Sequence, residues 1–128
     1  MEKLLAFHLA EDDLTKLKKI ADNIQIRLEI IEPADYFQPL ENLVNDRQDS
    51  QIAPFTGKVP EESLLLFCGF TDRSMEDTLA ALRAGRVQVS YKAALTPTNQ
   101  KWNFLQLLLE MRMESGSLRP NLKHTSPT

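Results

Sequence analysis

Hydrophobic and polar positions fall into blocks along the chain, and the period of each block predicts an element. Leu4-Leu5-Ala6-Phe7-His8-Leu9 is nearly continuous in apolar residues, which predicts a strand buried on both faces. After Glu11-Asp12-Asp13, apolar side chains recur at Leu14, Leu17, Ile20, Ala21 and Ile24. That spacing predicts a helix with acids at its positive end and Asp12 or Asp13 as N-cap. Ile24 to Ile30 alternates, which predicts a strand with one wet face, and Pro33 ends it. Leu40, Leu43 and Val44 predict a short helix with Pro39 in its first position. Residues 46–62 hold Pro54, Gly57 and Pro60 and show no period. They predict a flexible loop, with Ile52 and Phe55 as candidate anchors.

Leu64 to Phe70 is a second continuous apolar run. Capping chemistry follows: Ser74 with Asp77 has capping-box spacing, and Thr71 or Asp72 offers another cap. Met75, Leu79 and Leu82 form the stripe of a third helix, which Gly85 closes. Val87 to Ala93 alternates and predicts an edge strand. Asn103 with Gln106 opens the last helix, whose apolar side is Phe104, Leu105, Leu107, Leu108 and Met111. From Ser115 the composition shifts to Gly, Pro and hydroxyl residues, so 115–128 predicts a disordered tail behind a single domain, 1–114.

The order β-α-β-α-β-α-β-α predicts an α/β fold, a four-stranded mainly parallel sheet with helices on both faces. The continuous runs belong in the centre and the alternating ones at the edges. Right-handed crossovers then favour the order 2-1-3-4. The alternative is a ferredoxin-like α+β sheet, with antiparallel central neighbours. In the preferred order the switch point lies between strands one and three, and ligands are expected at the carboxyl ends there. His8 to Asp13 and Cys68 to Ser74 would then face one another, with Thr96 to Asn99 alongside.

Composition narrows the class. The chain has 128 residues, 42% hydrophobic, with 15 Lys+Arg against 18 Asp+Glu. The net charge of −3 splits into +2 on the last 14 residues, which hold Arg119 and Lys123 and no acid, and −5 on the rest. That balance argues against nucleic acid as a partner. No apolar run approaches the ~20 residues of a membrane span, and no signal peptide is expected. A single cysteine fits a reducing compartment, so a cytoplasmic location is expected.

The candidate chemistry is sparse. Gly69 sits at the end of a strand, where glycine permits close backbone approach to a ligand or simply a tight exit. Neither standard phosphate-binding glycine loop occurs. Cys68 in an apolar strand reads as core rather than nucleophile. His8 and His124 lack partners at metal-ligand spacing, so no metal and no cofactor is expected. Glu11, Asp12, Asp13 and Asp72 could form an acidic pocket, yet helix capping explains each of them. Lys92 and Thr96-Pro97-Thr98-Asn99 are dense in hydrogen-bonding groups, and Trp102 is the sole tryptophan, a packing anchor or an interface hot spot.

Ser63-Leu64-Leu65-Leu66-Phe67-Cys68-Gly69-Phe70-Thr71-Asp72, Leu79-Ala80-Ala81-Leu82-Arg83 and Lys92 to Trp102 carry the motifs F-x-G-F-[ST]-D and K-A-x-L-T-P-T-N-x-x-W. Over roughly Glu62 to Met113 the chain resembles a small bacterial family catalogued as domain of unknown function 3783. The resemblance implies a bacterial cytosolic protein with motif positions at Gly69, Phe70, Asp72, Lys92, Thr96, Pro97, Thr98, Asn99 and Trp102. The expected ligand-binding set is His8, Gly69, Phe70, Thr71, Asp72, Lys92, Thr96, Thr98 and Asn99, with Trp102 at an interface and no catalytic residue assigned. The expected function is a non-enzymatic binding or regulatory module for a small anion or a protein partner. A small enzyme using Cys68, Asp72, Lys92 or His8 is the alternative, and a homodimer through an exposed edge strand is a third reading.

Overall fold

The computed structural model describes residues 2–117. Its elements are β1 (Lys3–Phe7), α1 (Glu11–Ile24), β2 (Arg27–Ile31), a 3₁₀ turn at Pro33–Asp35, α2 (Leu40–Val44), β3 (Leu64–Cys68), α3 (Asp72–Ala84), β4 (Tyr91–Ala94), a 3₁₀ turn at Asn99–Lys101 and α4 (Phe104–Ser117). The four strands form one sheet in the order β2-β1-β3-β4. Central β1 and β3 are buried along their whole length, as their unbroken apolar runs require. Helices cover both faces. Leu4, Ala6, Leu65 and Phe67 pack with Leu17 of α1 and Leu82 of α3. Leu5, Phe7, Leu64, Leu66 and Cys68 pack with α2, α4 and Tyr36.

Strand direction differs from expectation at the centre. β1/β2 and β3/β4 are parallel, but β1 and β3 are antiparallel, with Lys3 opposite Cys68 and Phe7 opposite Leu64. The sheet keeps the expected order and stays mainly parallel, and it is not ferredoxin-like, because that fold splits each βαβ unit and here each unit keeps its two strands adjacent. The molecule is two βαβ units set side by side in opposite directions, each followed by helix on the other face. The likeness extends to the backbone. His8 (φ 62°) and Gly69 (φ 77°) are left-handed at the two strand exits, and Gln25 (φ 59°) and Arg86 (φ 58°) at the two helix ends. The next amides bond back identically, Ile26 to the Ala21 carbonyl and Val87 to the Leu82 carbonyl.

The other departures are local. α1 starts two or three residues earlier than a cap at Asp12 or Asp13 would place it. Its N-cap is Ala10, with no side-chain cap, and Asp13 instead accepts the Gln88 amide at 2.8 Å. That bond, with the reciprocal pairing of Ser63 and Ser90, holds residues 87–90 off the sheet and shortens the expected Val87–Ala93 strand to Tyr91–Ala94. Pro39 takes the N-cap position of α2 rather than the first helical one. α3 is capped by Thr71 and Ser74 in a reciprocal box, in place of Ser74 with Asp77. Asn103 and Gln106 make the expected box at α4. α4 continues to Ser117, three residues into the expected tail, and residues 118–128 lie outside the described residues. Within 46–62, Phe55 packs edge-on to Phe37 and tilted on Tyr36, while Ile52 is half-buried. Among the described residues, no helix is long and apolar enough to cross a membrane.

Candidate functional site

The antiparallel centre rearranges the expected site. Because β1 and β3 run oppositely, the carboxyl end of β1 lies beside the start of β3. His8 and the α1 acids therefore sit at the opposite end of the sheet from Gly69 to Asp72. This corrects the switch-point geometry, and His8 leaves the ligand-binding set. It lines an open cleft with Asp13, Glu61, Ser63, Gln88 and Ser90.

β3 and β4 are parallel, so the segments that follow them, Gly69 to Asp72 and Thr96 to Asn99, do share one end. Gly69 supplies the left-handed turn there, a conformation that costs other residues about 1–2 kcal/mol. Phe70 folds back so that its ring meets Phe67 edge-on at 5.1 Å. Thr71 spends its hydroxyl on the Ser74 amide at 3.1 Å. Asn99 is buried and fully engaged. Its Oδ1 accepts from the Thr96 amide at 2.8 Å, its own amide donates to Thr96 Oγ1 at 3.0 Å, and its Nδ2 donates to the Ala94 carbonyl at 3.0 Å. Thr96 and Asn99 thus fix the loop. Thr98 is exposed beside them. Trp102 is half-buried against the α2/α4 face, and its carbonyl accepts the Leu40 amide at 2.8 Å.

Two of the expected residues, Asp72 and Lys92, come together. They border a groove of about 340 Å³ between α3 and β4, whose floor and walls are Phe67, Met75, Leu79, Ala93 and Ala94, with Glu76 at the rim. The sheet register explains the cavity. Phe67 pairs with Ala94, and the corresponding pair in the other unit is Ala6 with Ile30. There the edge strand supplies the bulk; here the methyl of Ala94 leaves the space beside Phe67 unfilled. Among the described residues, Asp72, Glu76 and Lys92 form none of the molecule's ion pairs.

The missed groove residues were Phe67, Met75, Glu76, Leu79, Ala93 and Ala94. Their signal was the small pair Ala93-Ala94 on an edge strand, opposite a helix whose stripe carries Met75 and Leu79. Two larger cavities, about 700 and 460 Å³, lie at the other end of the sheet. They are open clefts of mixed polar and apolar lining, one bounded by the Arg112–Glu62 pair, whose two bonds of 2.7 Å hold the Glu62 carboxyl below its ordinary range.

Cys68 is buried on the opposite face from the groove, and burial pushes its thiol up to about 12. It is a core residue with no thiolate at neutral pH. Among the described residues, no group of three or more His, Cys, Asp or Glu is placed to hold a metal ion.

No curated protein and no solved structure matches the chain. Residues 63–117, which contain β3, α3, β4, α4 and with them every wall of the groove, match the family model described as Domain of unknown function (DUF3783).

Proposed function

We propose that the chain is a non-enzymatic binding module whose ligand site is the groove between α3 and β4, at the carboxyl ends of β3 and β4. The observation that carries this reading is an apolar cavity flanked by three charged side chains that form no ion pair among the described residues. An apolar floor with a few convergent polar groups is the usual composition of a ligand site. The lining offers two carboxylates and one ammonium but no hydroxyl, thiol or imidazole. Two carboxylates against one ammonium favour a partner surface over a small anion. A single cysteine held in the core supports a reducing cytoplasm as its setting.

Amide-resolved NMR with a library of small apolar and amphiphilic fragments tests the site. The expected result is shifts concentrated at Met75, Leu79, Lys92 and Ala94 that disappear in Ala94→Leu, which fills the cavity. Shifts concentrated at His8, Ser63 and Ser90 instead would remove the reading.

A further inference from the structure

The groove lies along an open sheet edge, and that edge has unused backbone groups. In β4 the amide of Tyr91 donates to Ser63 and that of Leu95 to Phe67. Alternation along a strand then turns the amide and carbonyl of Lys92, and those of Ala94, away from β3. The Ala94 carbonyl is taken by Asn99 Nδ2. Three groups without a hydrogen bond among the described residues remain in a row: the Lys92 N–H, the Lys92 C=O and the Ala94 N–H. The side chains of Lys92 and Ala94 share the α3 face with Leu65 and Phe67, their cross-strand partners. A strand laid against this edge would therefore drop alternate side chains straight into the cavity over Phe67, Met75 and Leu79.

We infer that the groove receives an extended peptide from a partner protein, which adds to β4 as a fifth strand. The inference rests on the groove being the ligand site and names its occupant. Backbone bonds to Lys92 and Ala94 supply register, and an apolar side chain in the cavity supplies selectivity, the usual division of labour in strand addition. Charge selects the rest of the sequence. Asp72 and Glu76 on the α3 wall call for a basic residue on the peptide, and Lys92 on the edge calls for an acidic one nearby.

The same charges count against a second copy as the occupant. Pairing two β4 edges antiparallel would set Lys92 of one copy diagonal to Lys92 of the other on one face, where like charges oppose pairing. An inward-facing lysine on an edge strand is a recognised device against edge-to-edge association. The Asn99 side chain also occupies the end of the edge, so the added strand is short.

The test is a displayed library of random seven-residue peptides panned on the intact protein, followed by affinity measurement of the enriched sequences. The variant that decides is Lys92→Pro. It deletes an outward N–H and no bond to β3, a position where an edge strand tolerates proline. Lys92→Ala controls for the charge. The expected result is enrichment of peptides with a large apolar residue flanked by a base and an acid. Lys92→Pro should weaken them at least tenfold more than Lys92→Ala does, and N-methylation of alternate peptide amides should abolish binding. Peptides that bind Lys92→Pro and Lys92→Ala equally would overturn strand addition while leaving the groove as the ligand site. Fragments that bind the groove with no peptide enriched would do the same. A concentration-dependent dimer with β4–β4 contacts would replace the partner peptide by a second copy. Absence of both peptides and fragments from the groove would overturn the inference and the underlying reading together.

Discussion

At the residue scale, single backbone and side-chain environments make direct predictions. Gly69 has φ 77°, so Gly69→Ala should destabilise the fold by about 1 kcal/mol. His8 already bears that strain in the other unit, so His8→Gly should be close to neutral, because relief of strain is offset by chain entropy. Urea denaturation of both variants checks the contrast. Cys68 gives a pH prediction. Burial raises its thiol in the native state, so the unfolded chain ionises first. Stability from this group is therefore complete below about pH 9 and is lost as pH rises toward about 12. The native thiol should resist iodoacetamide at pH 8 and react only on unfolding, as mass spectrometry would show. The inert character of Cys68 could be read from its apolar surroundings in the sequence. The left-handed His8 could not, because nothing in a histidine announces a positive φ.

At the scale of elements, Lys3 joins three of them. Its buried ammonium meets Glu29 of β2 at 2.8 Å, Asp46 at 3.1 Å and the Val44 carbonyl at the end of α2 at 3.0 Å. A cation suits that helix end. Lys3→Ala leaves these acceptors to water and should cost about 2 kcal/mol. Thermal denaturation monitored by circular dichroism measures it. The Lys3 bond also holds the Asp46 carboxyl below its ordinary range. Its contribution is present above the unfolded value and is lost as pH falls through the native one, so Asp46→Asn should flatten the acid limb of the stability curve. A second contact fixes α1 on α3. An added Cβ at Gly85 would lie 2.8 Å from Ile20 Cδ1, the free end of a half-buried flexible side chain, so Gly85→Ala should be absorbed by a shift of Ile20 and leave the melting temperature nearly unchanged. Periodicity located α1, α3 and α4 well, because their apolar stripes face one sheet. It overextended β4, because the alternation at Val87 and Val89 serves burial against α1 and α3 rather than strand pairing.

At the scale of the molecule, hydrogen exchange should divide the sheet. The amides of β1 and β3, paired on both sides and covered on both faces, should exchange last; those facing outward from β4 should exchange first. Strand order was legible because central strands lack a wet face. Strand direction was not, since a buried strand shows the same apolar run whichever way it points. That single ambiguity moved His8 from one end of the sheet to the other, away from the eight other expected residues. Asp72 and Lys92 stay together because they belong to one βαβ unit, whose internal geometry does not depend on its neighbour. The helix begins three residues after the left-handed position in both units, at Glu11 after His8 and at Asp72 after Gly69.

The antiparallel seam between β1 and β3 also sets the order of events during synthesis. Leu4 to Phe7 leaves the ribosome with β2 soon behind it, but its other neighbour is coded some 60 residues later. At about 5–20 residues per second, β1 waits roughly 3 to 12 seconds with that flank unpaired. During that interval the nascent first unit is the form of this protein most exposed to misassociation and most open to a chaperone.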